Sequence, residues 1–435
     1  MTAATAVTVP VAPTPQSGWA SRPEWQKWMA YAAAGTLVLA IVGQFTGTSM
    51  LTSSTLTSTA IKWSIPILLA GLGGLFSERC GVVNIGLEGM MIMGTWCGAF
   101  GAYHWGPWAG LVVGALGGAV GGLLHAVATV QFGVDHIISG VAINILAPGL
   151  ARYMSESIFV NYDGGSATQS PHVDGLGDFT VPVLAGGKIF GWRSPDLLGN
   201  IEDRHWFLLS DIAGIVRGPF SQMRIFTLLA LLCIPLTTYI FFRTRVGLRL
   251  RIAGERPAAG DSLGVDIYRY KYLGVLVSGA LAGLAGAFIV MELTGLYQQN
   301  QTAARGFIAL AALIFGNWRA RGVFASSILF AYPLALSLQD LKGTSVRALL
   351  LVIAIALAAV VVWSYRRPNL ADAIIAGVMS IGCVIWFATS ETAPAWLPNT
   401  MPTSSCFWCW CSLPNGFAHR PQLASPTDEA IARAA

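Results

Sequence analysis

Apolar positions along this chain come in long unbroken blocks separated by short polar gaps. They run at roughly 28–46, 57–77, 84–103, 108–131 and 136–158, and after a long polar interval at 224–242, 272–292, 303–318, 323–339, 346–364 and 371–390. A helix needs about 20 such residues to cross a hydrocarbon core ~30 Å thick. The pattern therefore predicts an all-α fold, a polytopic membrane helix bundle of about 10–11 transmembrane helices. The 303–318 block is short and reads as a re-entrant candidate.

Composition agrees with this picture. Hydrophobic residues make up 54% of the 435 positions and charged residues 11%, against about 25% charged in soluble domains. The blocks recur along nearly the whole chain, so one helical bundle at 28–390 is expected instead of two or three soluble domains. Glycine contributes 49 residues. Gly110, Gly114, Gly118 and Gly122 recur every four positions and strip one helix face of side chains, so that face is expected to meet another helix closely. Gly94 with Gly98, and Gly279 with Gly283, repeat the device.

Charge sets the orientation. Positive residues concentrate in cytoplasmic loops, and 243–271 holds Arg243, Arg245, Arg249, Arg251, Arg256, Arg269 and Lys271. The 159–223 loop is net acidic and is placed outside. Counting helices from these anchors puts Arg22, Lys27, Arg319, Arg321, Arg366 and Arg367 inside, with a cytoplasmic N-terminus in a bacterial plasma membrane. Residues 1–27 read as a disordered cytoplasmic tail without a signal peptide. The net charge of +5 lies in inter-helix loops and follows from topology, so no nucleic-acid partner is expected and membrane lipid is the surrounding medium.

Four cysteines (Cys80, Cys97, Cys233, Cys383) are scattered in or beside apolar segments and read as packing residues. The other three fall within Ser405–Cys411. A metal site on Cys406, Cys409 and Cys411 would have only His419 as a nearby fourth ligand, and no metal is assigned. The 391–435 tail reads as irregular and frameshifted, in place of a lost last helix.

No phosphate-binding loop, His-Glu-x-x-His or nucleophile elbow occurs, so the chain is expected to be no enzyme, to lack its own ATP site and to need no cofactor. Intramembrane polar residues are costly unless paired or solvated. Glu88 and Asn84, read as sharing one helix face, are the candidates for the translocation path or for a helix–helix lock. His125, Arg152 and Glu156 receive no role.

Two stretches carry a family resemblance. Ser77-Glu-Arg-Cys-Gly-Val-Val-Asn-Ile-Gly-Leu-Glu-Gly-Met-Met-Ile-Met-Gly94 resembles the signature of ABC permeases of the branched-chain amino acid and ribose importer class, most like those for nucleosides or simple sugars. Gly254-Glu-Arg-Pro-Ala-Ala-Gly-Asp-Ser-Leu-Gly264, with Ser278–Gly286 after it, is similar to that family's cytoplasmic coupling loop. Arg305–Trp318 also resembles these permeases. The resemblance implies a separate ATP-binding subunit, a second related permease subunit and an extracytoplasmic substrate-binding lipoprotein. It assigns coupling to Glu255, Pro257, Ala258, Ala259 and Gly264. Physically, Pro257 suits a first helical turn, Glu255 sits where the helix dipole favours a negative charge, and Gly264 can end the helix. A secondary transporter or channel driven by an ion gradient is the alternative, with only Glu88 and Glu156 as possible ion-site carboxylates.

Overall fold

The computed structural model describes residues 24–179, 188–189, 192–193, 196–204, 206, 208–221, 223–339, 344–365 and 370–390. The expectations for Arg22, for Arg366 and Arg367, for residues 1–23 and for the 391–435 tail with its three cysteines lie outside the described residues.

Among the described residues the chain is a bundle of helices, with two-residue strand pairs in the 178–224 region. In order it forms α1 (Glu24–Thr46), α2 (Ser54–Arg79), α3 (Leu87–Trp105), α4 (Pro107–Ala126), α5 (His136–Ser157), the short α6 (Leu197–Glu202) and α7 (Leu209–Arg217). There follow α8 (Ile225–Arg243), α9 (Arg245–Glu255), α10 (Pro257–Ser262), α11 (Ile267–Phe288), α12 (Arg305–Phe315), α13 (Ala320–Gln339), α14 (Thr344–Tyr365) and α15 (Leu370–Thr389). Every apolar block is thus helical. Among the described residues, six helical stretches are long and apolar enough to cross a membrane, and shorter apolar stretches lie in α1, α12, α14 and α15. At 11 residues, α12 is about 16 Å long, half of a span, but it is not re-entrant: the chain leaves the 159–223 loop at Gly295–Gln299 and reaches the opposite end of α2 at Trp318, so 295–304 and α12 together complete one crossing.

Local chemistry sets the helix starts. Ser53, Asp135, Thr244 and Asp266 each cap a helix by accepting a backbone N–H two or three residues ahead. Such caps satisfy donors that a helix start leaves orphaned. The helical runs of α4 and α11 continue as π-turns at Val127–Gln131 and Ile289–Thr294.

The core is built on α11, which packs against α2, α3 and α4. The glycine faces meet there as expected. A Cβ on Gly283 would lie 2.3 Å from the Gly114 carbonyl oxygen, and one on Gly118 would lie 2.2 Å from that of Gly279. No side chain fits between these backbones, so close packing of α4 on α11 depends on its absence. Gly94 joins the same seam, where a Cβ on it would lie 2.3 Å from the Gly283 carbonyl oxygen.

The two long loops meet opposite ends of α2. Glu202 accepts from the Ser54 backbone N–H at 2.9 Å, and Asp211 accepts from Thr52 Oγ1 at 2.5 Å, both at the start of that helix. Gly254 lies against Arg79 and Gly81 at its other end. A 26-residue helix separates the loops by about 39 Å, so the basic 243–271 loop and the acidic 159–223 loop sit on opposite faces of the bundle.

Candidate coupling surface and buried half-helix

At the basic end, α9 lays Gly247, Leu250, Ala253 and Gly254 inward and turns into α10 at Arg256. Pro257 occupies the first helical position. Gly260 faces inward, where a Cβ would lie 2.6 Å from Ile252 Cγ2. The helix stops in a glycine cap: Gly264 has φ +74° and donates its N–H to the Asp261 carbonyl at 2.8 Å, while Val265 donates to Gly260 at 3.0 Å. These two bonds satisfy the last carbonyls and require the left-handed conformation that glycine adopts without strain. The outer face of α10 stays uncovered, because Ala258 and Ala259 are exposed and Leu263 is 76% exposed. The five residues assigned to coupling are therefore brought together on one short, stiff projection. Glu255 is the last residue of α9, directly before α10, and faces the Arg79 guanidinium at 3.8 Å.

Glu88 sits inside the bundle. Its Oε1 accepts from Thr302 Oγ1 at 2.6 Å and from the Ala304 N–H at 3.1 Å, and its Oε2 accepts from the Gly306 N–H at 2.6 Å. Ala304 is the N-cap of α12, with φ +62°, and its methyl offers no capping oxygen. Glu88 therefore caps α12 from another helix. Depth follows from Asn144, whose side chain accepts from the Gly89 N–H at 2.8 Å and donates to the Ile85 carbonyl. Asn144 lies eight residues into α5, about 12 Å from its start. Both α3 and α12 thus begin within the bundle, where no water meets an orphaned N–H. Arg305, 8% exposed, donates to the Gln301 and Thr302 carbonyls, stacks 4.7 Å from the Trp63 ring centre and feels the Glu88 charge.

One sequence expectation is corrected here. Asn84 and Glu88 do not share a helix face, because α3 begins only at Leu87 and Asn84 lies in the turn before it. The Asn84 amide accepts from Gly86 N–H at 3.1 Å and donates to Ser278 Oγ at 2.9 Å. Asn-type side chains favour such local turn bonds over helix interiors. Asn84 thus fastens the α3 entry to α11, while Glu88 fastens α12.

Of the unassigned polar residues, His125 bridges Ser139 Oγ at 2.9 Å and the Val83 carbonyl at 3.1 Å, holding α4, α5 and the α3 entry together. Arg152 and Glu156 form an exposed pair at 2.9 Å, with Gln299 beside Arg152. Sequence reasoning missed three further links: Glu78 with Trp318, Arg224 with Glu292, and Arg217 with Asp196 and Glu202. Each joins residues far apart in the chain, so no local spacing announces it. Burial lowers the pKa of Arg217, but the hydrogen bonds and charges of Asp196 and Glu202 outweigh that and hold it above the ordinary arginine value. A cavity of about 460 Å³ opens at this acidic end between α1 and the loop, lined by Gln44, Thr48, Glu202, Trp206 and Asp211 among others. None of the assigned site residues borders it. Among the described residues, no group of three or more His, Cys, Asp or Glu side chains could hold a metal ion.

Comparison with known proteins gives the following. The model of the family described as branched-chain amino acid transport system / permease component matches residues 56–361. A nucleoside ABC transporter permease protein of Lactococcus lactis is 37% identical over 281 residues, covering 62% of this chain and 77% of that protein. A guanosine ABC transporter permease protein of Bacillus subtilis is 33% identical over 288 residues, covering 64% and 80%. No solved structure matches the chain.

Proposed function

Since the chain belongs to the branched-chain amino acid transport system permease component family, we propose that it forms the translocation path of an ABC importer for nucleosides or similar ribose-containing solutes. The substrate class rests on the likeness to permeases named for nucleosides and guanosine. A separate ATP-binding subunit supplies the energy, a second related permease completes the path, and an extracytoplasmic lipoprotein delivers the solute to the acidic face. The basic face and the N-terminus lie in the cytoplasm.

The observation that carries this reading is the uncovered α10. A stiff helical turn with two small exposed residues, Ala258 and Ala259, and one large exposed apolar residue, Leu263, stands out from the basic end. Such a surface fits a cleft on a moving partner. Its backbone is anchored by Gly254 against Arg79 and Gly81, so a push on α10 reaches the helix ends without loss in a floppy loop. In the translocation path, Glu88 and Asn84 act by holding the start of α12 and the α3 entry that border it. The test is uptake into proteoliposomes holding the complete complex. Nucleoside uptake is expected to require ATP, and uptake driven by a proton or sodium gradient without ATP would refute the proposal.

A further inference from the structure

The end of α2 beneath α10 is gripped from a second side. Trp318 donates its indole N–H to Glu78 Oε2 at 2.5 Å, and its backbone carbonyl accepts from the Arg79 guanidinium at 2.9 Å. Trp318 is 9% exposed. The turn that presents it is strained, since Asn317 and Trp318 both take left-handed φ values, +49° and +50°. Two such non-glycine residues in succession persist only where the surroundings hold them. Here the backbone bonds from Asn317 to Ile314 and from Trp318 to Leu313, together with the grip on α2, hold them.

Through this clasp, two chains of contact leave the α9–α10 segment and end at the same place. One passes from Gly254 to the Arg79–Gly81 backbone, where a Cβ on Gly254 would lie 2.4 Å from the Arg79 carbonyl oxygen, and then along the α3 entry to Glu88. The other passes from the end of α2 to Trp318, up the 11 residues of α12 and, at Gly306, to Glu88. The half-exposed Glu255–Arg79 pair at 3.8 Å is too solvated to transmit force by itself. The backbone contact and the indole bond are the stiff members.

We infer that Glu78 and Trp318 are positioning residues for transport: their bond transmits the displacement of the docked α9–α10 segment to the half-length helix α12 and its mid-membrane start. The inference rests on the reading of α10 as the ATPase contact.

The test uses the complete complex in proteoliposomes, reading nucleoside imported per ATP hydrolysed. Trp318→Phe keeps the ring and loses the donor, Glu78→Ala loses the acceptor, and Glu78→Gln keeps an acceptor oxygen. The ratio is expected to fall about tenfold in each of the first two, to fall no further in their double variant, and to stay within about twofold of the parent in Glu78→Gln. An unchanged ratio in Trp318→Phe, or a double variant whose losses multiply, overturns the inference. Cross-linking from Ala259→Cys in the same membranes separates the two readings. A chain carrying Ala259→Cys alone that gives no cross-link to the ATPase sinks the docking proposal. A cross-link that forms while Trp318→Phe keeps its ratio sinks only this inference. Loss of the cross-link in Trp318→Phe also counts against it, because the clasp would then serve docking and not transmission.

Discussion

Glu88→Gln preserves volume and removes both a charge and an acceptor. The carboxylate receives three donors, two on Oε1 (Thr302 Oγ1 and the Ala304 N–H) and one on Oε2 (the Gly306 N–H). An amide has one oxygen and one NH2, so either orientation sets donor against donor. With its oxygen toward Thr302 and Ala304, the Gly306 N–H is orphaned at the start of α12. Losing a charge-assisted bond and leaving a buried donor unmet costs about 2–3 kcal/mol. Arg305, 8% exposed, also loses the nearby opposite charge, which places the cost at the upper end of that range, about 3 kcal/mol. That energy corresponds to roughly 150-fold more frequent opening of the segment. Hydrogen exchange in nanodiscs on peptides covering 302–308 measures this directly. Exchange is expected to rise by about two orders of magnitude, with membrane insertion unchanged and uptake weakened. Unaltered exchange together with full uptake would show that Glu88 is not the cap of α12.

Ala259→Glu and Gly264→Trp are expected to leave the chain inserted and to uncouple ATP hydrolysis from uptake. Gly264→Trp also strains the left-handed cap of α10 at φ +74°, so Ala259→Glu, which adds a charge at an exposed position, isolates the docking effect; normal coupling in both variants would place the ATPase contact elsewhere. Gly283→Ala brings a Cβ to 2.3 Å from the Gly114 carbonyl, forcing α4 and α11 apart at a cost of about 1–3 kcal/mol. Its thermal midpoint in detergent should fall, while Gly149→Ala, which meets nothing within 4 Å, should not lower it; equal midpoints would deny the seam.

The membrane-bundle class, the helical blocks and the glycine seam were legible in the chain because each is a local or periodic property. A run of about 20 apolar residues has one stable solution in lipid. A four-residue glycine period clears one face of a helix whatever its neighbours are. The α10 turn was legible for the same reason, since Pro257 and Gly264 act within a few residues of themselves. The pairing of Asn84 with Glu88 failed because a spacing of four means a shared face only inside a helix, and the helix starts at Leu87. What Glu88 touches lies more than 200 positions away, at Thr302 to Gly306, and Glu78 reaches Trp318 across 240 positions. Such partners are chosen by where helix ends come to rest. An orphaned N–H buried at the start of α12 must find an acceptor, and only the packing of α3 beside it decides that the acceptor is Glu88.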